Sequence, residues 1–245
     1  MPEQLRPLPR DFHDTRDALH RLATHVVYLP RREATGRYGM IWTPGGFGTP
    51  FFGDDEQIRV TGDVLVHQRR KQLESAPITT LRAGADLLGR TVDPGFDHGF
   101  DDVVPAGDID ADLGVAEDAA LALGDWFGLA TSVLEQLREE WSDADPSTVQ
   151  LWPEHFDIAF HAAYAAPSDR CRVTFGASPG DTGLPDPYLY VGPHTDARPG
   201  DAEYWNASFG ATLAYDEVVA AGRKADQRER VLGFLREGMD RLRSA

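Results

Sequence analysis

The chain has 245 residues, with 40 Asp and Glu against 24 Lys and Arg, one cysteine and 41% hydrophobic residues. That length buries a core without disulfide or metal support, and the lone Cys171 excludes an intramolecular disulfide and every multi-cysteine metal motif. A formal charge of −16 repels phosphate backbones and anionic lipid, so neither nucleic acid nor a membrane surface is an expected partner.

Charge divides the chain into three zones. Residues 1–92 carry 11 acidic and 13 basic groups, residues 93–118 carry nine acidic and no basic groups, and residues 119–245 carry 20 and 11. We read these as an N-terminal α+β half, an acidic connector and a C-terminal α+β half. No segment is apolar over the ~18 residues that spanning needs, and the N-terminus lacks the apolar stretch of a signal peptide. A soluble, cytoplasmic protein is expected.

Phe12, Leu19, Leu22, Ala23 and Val26 recur at helical spacing and predict a first helix that Pro30 ends. Extended segments follow at residues 38–43 and 57–66, the second folded into a hairpin at Gly62-Asp63. The run 44–50 between them lacks the Lys-Ser/Thr pair and the following helix of a phosphate loop, and reads as a long hairpin or lid loop. Thr79 or Thr80 caps a short helix that stops at Gly89. In the connector, Asp108-Ile109-Asp110-Ala111-Asp112 opens like a calcium loop, but Leu113 and Ala119 stand where glycine and glutamate are required.

Leu123, Trp126, Phe127, Ala130, Leu134, Leu137 and Trp141 define a longer helix. From His155 to Tyr164 the residues alternate, placing Phe156, Ile158, Phe160 and Tyr164 on one face and His155, Asp157 and His161 on the other. A turn at 166–169 leads to a partner strand at 171–175, a third strand covers 188–191, and a helix closes the chain from about Asp226. The expected fold is α+β, with antiparallel sheets covered by helices. Two related halves are one reading, since helix, strand, residues 43–50, strand and helix parallel helix, strand, residues 178–185, strand and helix.

Three functional readings arise from the C-terminal half. Trp152, His155, Asp157, Arg172, Tyr188, Tyr190, Trp205 and Asn206 have the polar-aromatic composition of a site that orients a small polar molecule, against ordinary packing of amphipathic aromatics. His155-Phe156-Asp157 with His194 resembles the ligand set of iron- and 2-oxoglutarate-dependent oxygenases, with Arg198 as the carboxylate anchor that this resemblance implies. The interval from Asp157 to His194 is short for that fold, so a metal-dependent enzyme using His155, Asp157 and His194 is the alternative, and no cofactor is predicted. A protein-interaction module with an aromatic surface is the third reading. No activated nucleophile is evident: Cys171 falls on the predicted apolar face and no Gly-x-Ser-x-Gly elbow occurs.

The segments 43–50, Leu151-Trp152-Pro153-Glu154-His155-Phe156-Asp157, Ser178-Pro179-Gly180-Asp181, 187–193 and Trp205-Asn206 make the chain similar to an uncharacterised family of actinobacterial proteins of about this length. That resemblance implies a cytoplasmic bacterial protein and no particular chemistry.

Overall fold

A computed structural model describes residues 4–101, 103–165, 171–196 and 198–244. The architecture is α+β, built on two five-stranded antiparallel sheets and helices. The chain divides into two units. The first comprises Leu8–Gly128 and Leu151–Phe156; the second comprises Leu129–Gln150 and the chain from Asp157 onward, joined by N-terminal residues up to Pro7. One boundary falls inside a helix and the whole acidic stretch 93–118 belongs to the first unit.

The first unit opens with α1 (Phe12–Leu22), which runs into a π-helical turn, Ala23–Val27. There the Tyr28 amide donates to the Ala23 carbonyl at 3.2 Å, five residues back. The wider turn buries every residue from Ala23 to Tyr28, where an α-helix would bury only a stripe. Pro30 does not end the helical run as its position suggested. It stands in the first turn of α2 (Leu29–Thr35), where its missing amide proton has no intrahelical partner to lose.

The first sheet is a meander of β1 (Ile41–Thr43), β2 (Gly46–Gly48), β3 (Glu56–Thr61), β4 (Val64–Arg69) and β5 (Gln72–Pro77) in sequential order. The run 44–50 is neither a long hairpin nor a lid loop. Thr43 pairs with Gly46 across the two-residue turn Pro44-Gly45, with Gly45 at φ +79°. Thr80 caps α3 (Leu81–Leu87) by accepting from the Ala83 amide at 3.0 Å, as its sequence position required.

Helix α4 (Glu117–Glu140) buries its predicted stripe. Its Gly124 carries the contact with the first sheet. A Cβ there would stand 2.7 Å from both Gly45 C and Gly46 N, while the Gly124 carbonyl accepts the Trp42 indole N–H at 2.9 Å. Helix propensity favours alanine over glycine by about 1 kcal/mol, but forcing a methyl against rigid backbone costs about 1–3 kcal/mol. Gly124→Ala is therefore expected to lower stability, measured as a decreased urea midpoint; an increased midpoint would show that helix propensity dominates.

The second sheet is β6 (Gln150–Trp152), β7 (Asp157–Ala163), β8 (Arg172–Ser178), β9 (Tyr188–Pro193) and β10 (Ala211–Ala214), again a sequential meander. Register places Phe160 opposite Phe175 and Phe175 opposite Val191, making an apolar face on which Trp141 packs, its ring 4.8 Å from Phe175. Helices α5 (Tyr215–Ala220) and α6 (Lys224–Arg243) complete the unit, with Val231, Leu232, Leu235, Met239 and Leu242 of α6 all buried. The turn expected at 166–169 lies outside the described residues.

The two halves are thus similar in topology, each a helix followed by a five-stranded meander and a helix. The Pro-Gly segments that suggested the repeat are not equivalent, however. Residues 43–50 include the first turn of one meander, whereas 178–185 includes the third connection of the other. Turn chemistry favours Pro and Gly in both places without common placement.

Candidate functional site

The polar face of the second sheet follows from its register. Asp157, Ala159 and His161 of β7, Arg172, Thr174, Gly176 and Ser178 of β8, and Tyr188, Tyr190 and Gly192 of β9 share that face, because Ala159 pairs with Gly176 and Gly176 with Tyr190. The predicted alternation holds from Asp157 onward. It fails before it: Phe156 is in the left-handed region at φ +55°, in a turn rather than on the strand, so His155 does not continue the polar row.

Tyr190 lies across this face. A Cβ on Gly176 would stand 2.5 Å from the Tyr190 hydroxyl oxygen, so only a residue without a side chain admits the ring. The hydroxyl donates a short hydrogen bond to Oδ2 of Asp157, a carboxylate only 6% exposed. Two residues earlier on the same strand, the Tyr188 hydroxyl donates to Asp181 Oδ2 at 2.6 Å, and Asp181 also holds its own loop through the Gly183 and Leu184 amides. Burial raises the pKa of both phenols, and the adjacent carboxylates, Asp157 for Tyr190 and Asp181 for Tyr188, raise it further. Phe209 covers both rings, with centroids 6.3 Å away, and is itself 42% exposed.

Of the eight residues selected from the sequence, Asp157, Tyr188 and Tyr190 meet here. Arg172 shares the face but is turned to Asp145, donating to its carboxylate and its carbonyl, each at 3.0 Å. Asn206 is occupied with the edge strand: its amide accepts from the Thr212 N–H at 2.8 Å and donates to the Thr212 carbonyl at 3.0 Å. Trp205 donates to the Pro199 carbonyl and lies under the Arg198 guanidinium. Trp152 and His155 belong to the first unit, where Trp152 packs 5.9 Å from Tyr38 and His155 is exposed.

Among the described residues no three His, Cys, Asp or Glu side chains converge as a metal ion requires. The trio His155, Asp157 and His194 therefore does not form the metal site that its spacing suggested. His194 is bonded instead to Thr174, whose hydroxyl oxygen lies 2.8 Å from His194 Nε2 and 2.9 Å from His161 Nδ1. This His-Thr-His row was missed, although pairing of strands 155–164 and 171–175 places His161 beside Thr174.

The first unit holds a second cluster that sequence reading left undivided within the acidic stretch. His98 is 5% exposed and its Nδ1 accepts the Tyr28 hydroxyl proton at 2.6 Å. His25, in the π-turn, donates through Nε2 to the Val104 carbonyl at 2.8 Å and meets His98 edge to face at 5.1 Å. Phe96 and Phe100 flank His98, and Arg32 lies over Phe96. The stretch 93–118 is thereby tied down by aromatics and by a bidentate Arg82–Asp110 pair.

An open cleft of about 600 Å³ lies along α6, between Pro199-Gly200 and Gly233, Arg236 and Arg241. None of the eight selected residues lines it. Its arginines are paired, Arg236 with Glu140 and Arg241 with Glu237, so it presents no unbalanced charge from them.

No protein-family model, curated protein or solved structure matches the chain. What fold and site define is an α+β protein of two similar five-stranded halves whose second sheet carries a polar, tyrosine-rich face. No helix among the described residues is long and apolar enough to cross a membrane.

Proposed function

We propose that this is a cytoplasmic small-molecule-binding protein whose site is the polar face of the second sheet, centred on Asp157, Tyr188 and Tyr190. The observation that carries the reading is Asp157. A carboxylate loses several kcal/mol of hydration on burial unless polar partners replace water, and here one only 6% exposed is kept on a sheet face, where the Tyr190 hydroxyl donates to it. Aromatic rings with a few convergent polar atoms are the usual composition of a site that orients a small ligand. The single free Cys171 fits a reducing compartment.

A thermal-shift screen of the full chain against polar metabolites tests this. A ligand at ~100 times its Kd adds about 2.7 kcal/mol of stability. That shift is expected to fall by half or more in Asp157→Asn and Tyr190→Phe, both close in volume to the residues they replace. A ligand whose shift survives both substitutions binds elsewhere and overturns the reading, as does silence across a broad library.

A further inference from the structure

Helix α2 ends in a concentration of positive charge that its surroundings do not neutralise. The chain has 40 carboxylates for 24 Lys and Arg, and ion pairing is common among its arginines, as at Arg70–Asp54, Arg82–Asp110 and Arg138–Glu135. Glu33, the one carboxylate of α2, is taken by Arg90 at 2.8 Å. Among the described residues no carboxylate pairs with Arg31, Arg32 or Arg37. Arg32 donates to the Tyr28 hydroxyl and lies over the Phe96 ring, whereas Arg31 bonds only a backbone carbonyl.

The backbone brings two of these charges together. Gly36 closes α2 in the left-handed region at φ +72°, its amide bonded to the Arg32 carbonyl at 2.7 Å, and the Arg37 amide donates to the Thr35 hydroxyl oxygen at 3.2 Å. The chain doubles back, so that the Gly39 carbonyl accepts from Arg31 Nη1 at 2.7 Å. The Arg31 guanidinium is thereby fixed at a position two residues from Arg37, whose own side chain is exposed and bonds no described residue. Partial burial, and then the Arg37 charge, hold the Arg31 pKa below the ordinary guanidinium value. A helix C-terminus favours cations, but α2 has only 7 residues, and its Arg31 and Arg32 carbonyls are already taken by the Thr35 hydroxyl and the Gly36 amide. Little of its dipole is left for two guanidiniums to compensate. Arg31 spends one of five N–H donors on Gly39, and Arg37 spends none on the protein. Two positive charges with that many spare donors match a dianion, since guanidinium forks fit phosphate oxygens and a single carboxylate would neutralise only one charge.

We propose that Arg31 and Arg37 form a surface site for a dianionic phosphate group, held between the two guanidiniums. The site lies in the first unit and stands or falls independently of the polar face of the second sheet.

Calorimetric titration of the full chain with inorganic phosphate, glycerol phosphate and acetate tests this, at constant ionic strength and about pH 8, where both phosphates are mainly dianions. Saturable phosphate binding is expected, with acetate about tenfold weaker or more. Arg37→Gln, which breaks no side-chain bond to a described residue, and Arg31→Gln are each expected to weaken phosphate about tenfold or more, as loss of a charge-assisted hydrogen bond does. Arg59→Gln is expected to leave it unchanged, its arginine also lacking a carboxylate and bonding only Gln57 and Gln68. Tighter binding of glycerol phosphate than of inorganic phosphate identifies the ligand as a phosphate monoester, and the reverse as the free anion. Stability supplies a second readout. Phosphate at about ten times its Kd multiplies the folding equilibrium constant about tenfold, a gain expected to shrink below about twofold in Arg37→Gln. In phosphate-free buffer the same variant is expected to unfold at a slightly higher urea concentration, because a like charge is removed, whereas loss of an arginine that served only the helix C-terminus would lower it. Binding that does not saturate, that survives Arg37→Gln or that acetate matches overturns the proposal, as does a lower urea midpoint for Arg37→Gln in phosphate-free buffer.

Discussion

Phe156→Ala is expected to lower the unfolding free energy by about 3–5 kcal/mol, among the largest losses a single substitution in this chain should produce. The ring is 1% exposed and sits among three others: stacked on His20 at 5.0 Å, and edge to face with Phe47 at 5.0 Å and Phe127 at 5.4 Å. It joins α1, β2 and α4 within the first unit. The backbone reaches this position only through φ +55°, a conformation that costs a residue with a side chain about 1–2 kcal/mol. The turn before it is held by the Pro153 carbonyl, which lies 2.9 Å from His20 Nε2 and accepts from Thr24 Oγ1 at 3.2 Å. A reversal of the usual order follows: Phe156→Gly should be at least as stable as Phe156→Ala, because relief of the left-handed conformation outweighs the ~0.5–1 kcal/mol that glycine loses in chain entropy. Urea unfolding of the two variants gives the answer. A loss below about 1 kcal/mol for Phe156→Ala would show that the cluster collapses around the vacancy. A clear advantage for alanine over glycine would contradict the backbone argument.

Phe156 also marks where sequence reasoning stopped working. Its place in an alternating run predicted a strand neighbour of Ile158, and only the left-handed backbone angle separates the two. Nothing in residue type signals that angle, since phenylalanine there is sustained by tertiary packing. The helical stripes of α1, α4 and α6 were legible because their apolar spacing is set by residues that bury regardless of neighbours. Strands β2 and β5 were not. Gly46-Phe47-Gly48 has poor strand propensity and is held by register with β1, and Gln72–Pro77 is a largely exposed edge strand recruited by the β4 backbone. The site divides the same way. Asp157, Tyr188 and Tyr190 were identified because strand alternation fixes which residues share a face. Trp205 and Asn206 have the same polar-aromatic character, but their donors are taken by Pro199 and Thr212, and that choice of partner is made by the loop path.

Acidification from about pH 6.5 to about pH 4 is expected to cost the fold several kcal/mol through His98 and His20. Both are held down to about 4, His98 by burial and then by His25 and Arg32, and His20 by burial despite its contact with the Pro153 carbonyl. At His98 the cause is geometric. The Tyr28 hydroxyl accepts from Arg32 at 3.2 Å and gives its own proton to His98 Nδ1, so the neutral ring carries its hydrogen on Nε2, buried without a partner. A second proton on that buried ring meets the positive charge of the Arg32 guanidinium. The unfolded ring titrates near its ordinary 6.5, so below that pH the unfolded chain binds protons that the native state refuses. Stability is full above 6.5, declines as the pH falls, and levels off for these two groups once the native rings protonate near 4. Each shift corresponds to a ceiling of about 3 kcal/mol. His25, also depressed by burial, adds to the same slope. Urea unfolding at intervals across this window measures the decline. His98→Asn, which keeps an acceptor for Tyr28, is expected to flatten it by up to about half. An unchanged slope in His98→Asn would place the acid-sensitive group elsewhere and remove the Tyr28–His98 contact as the cause.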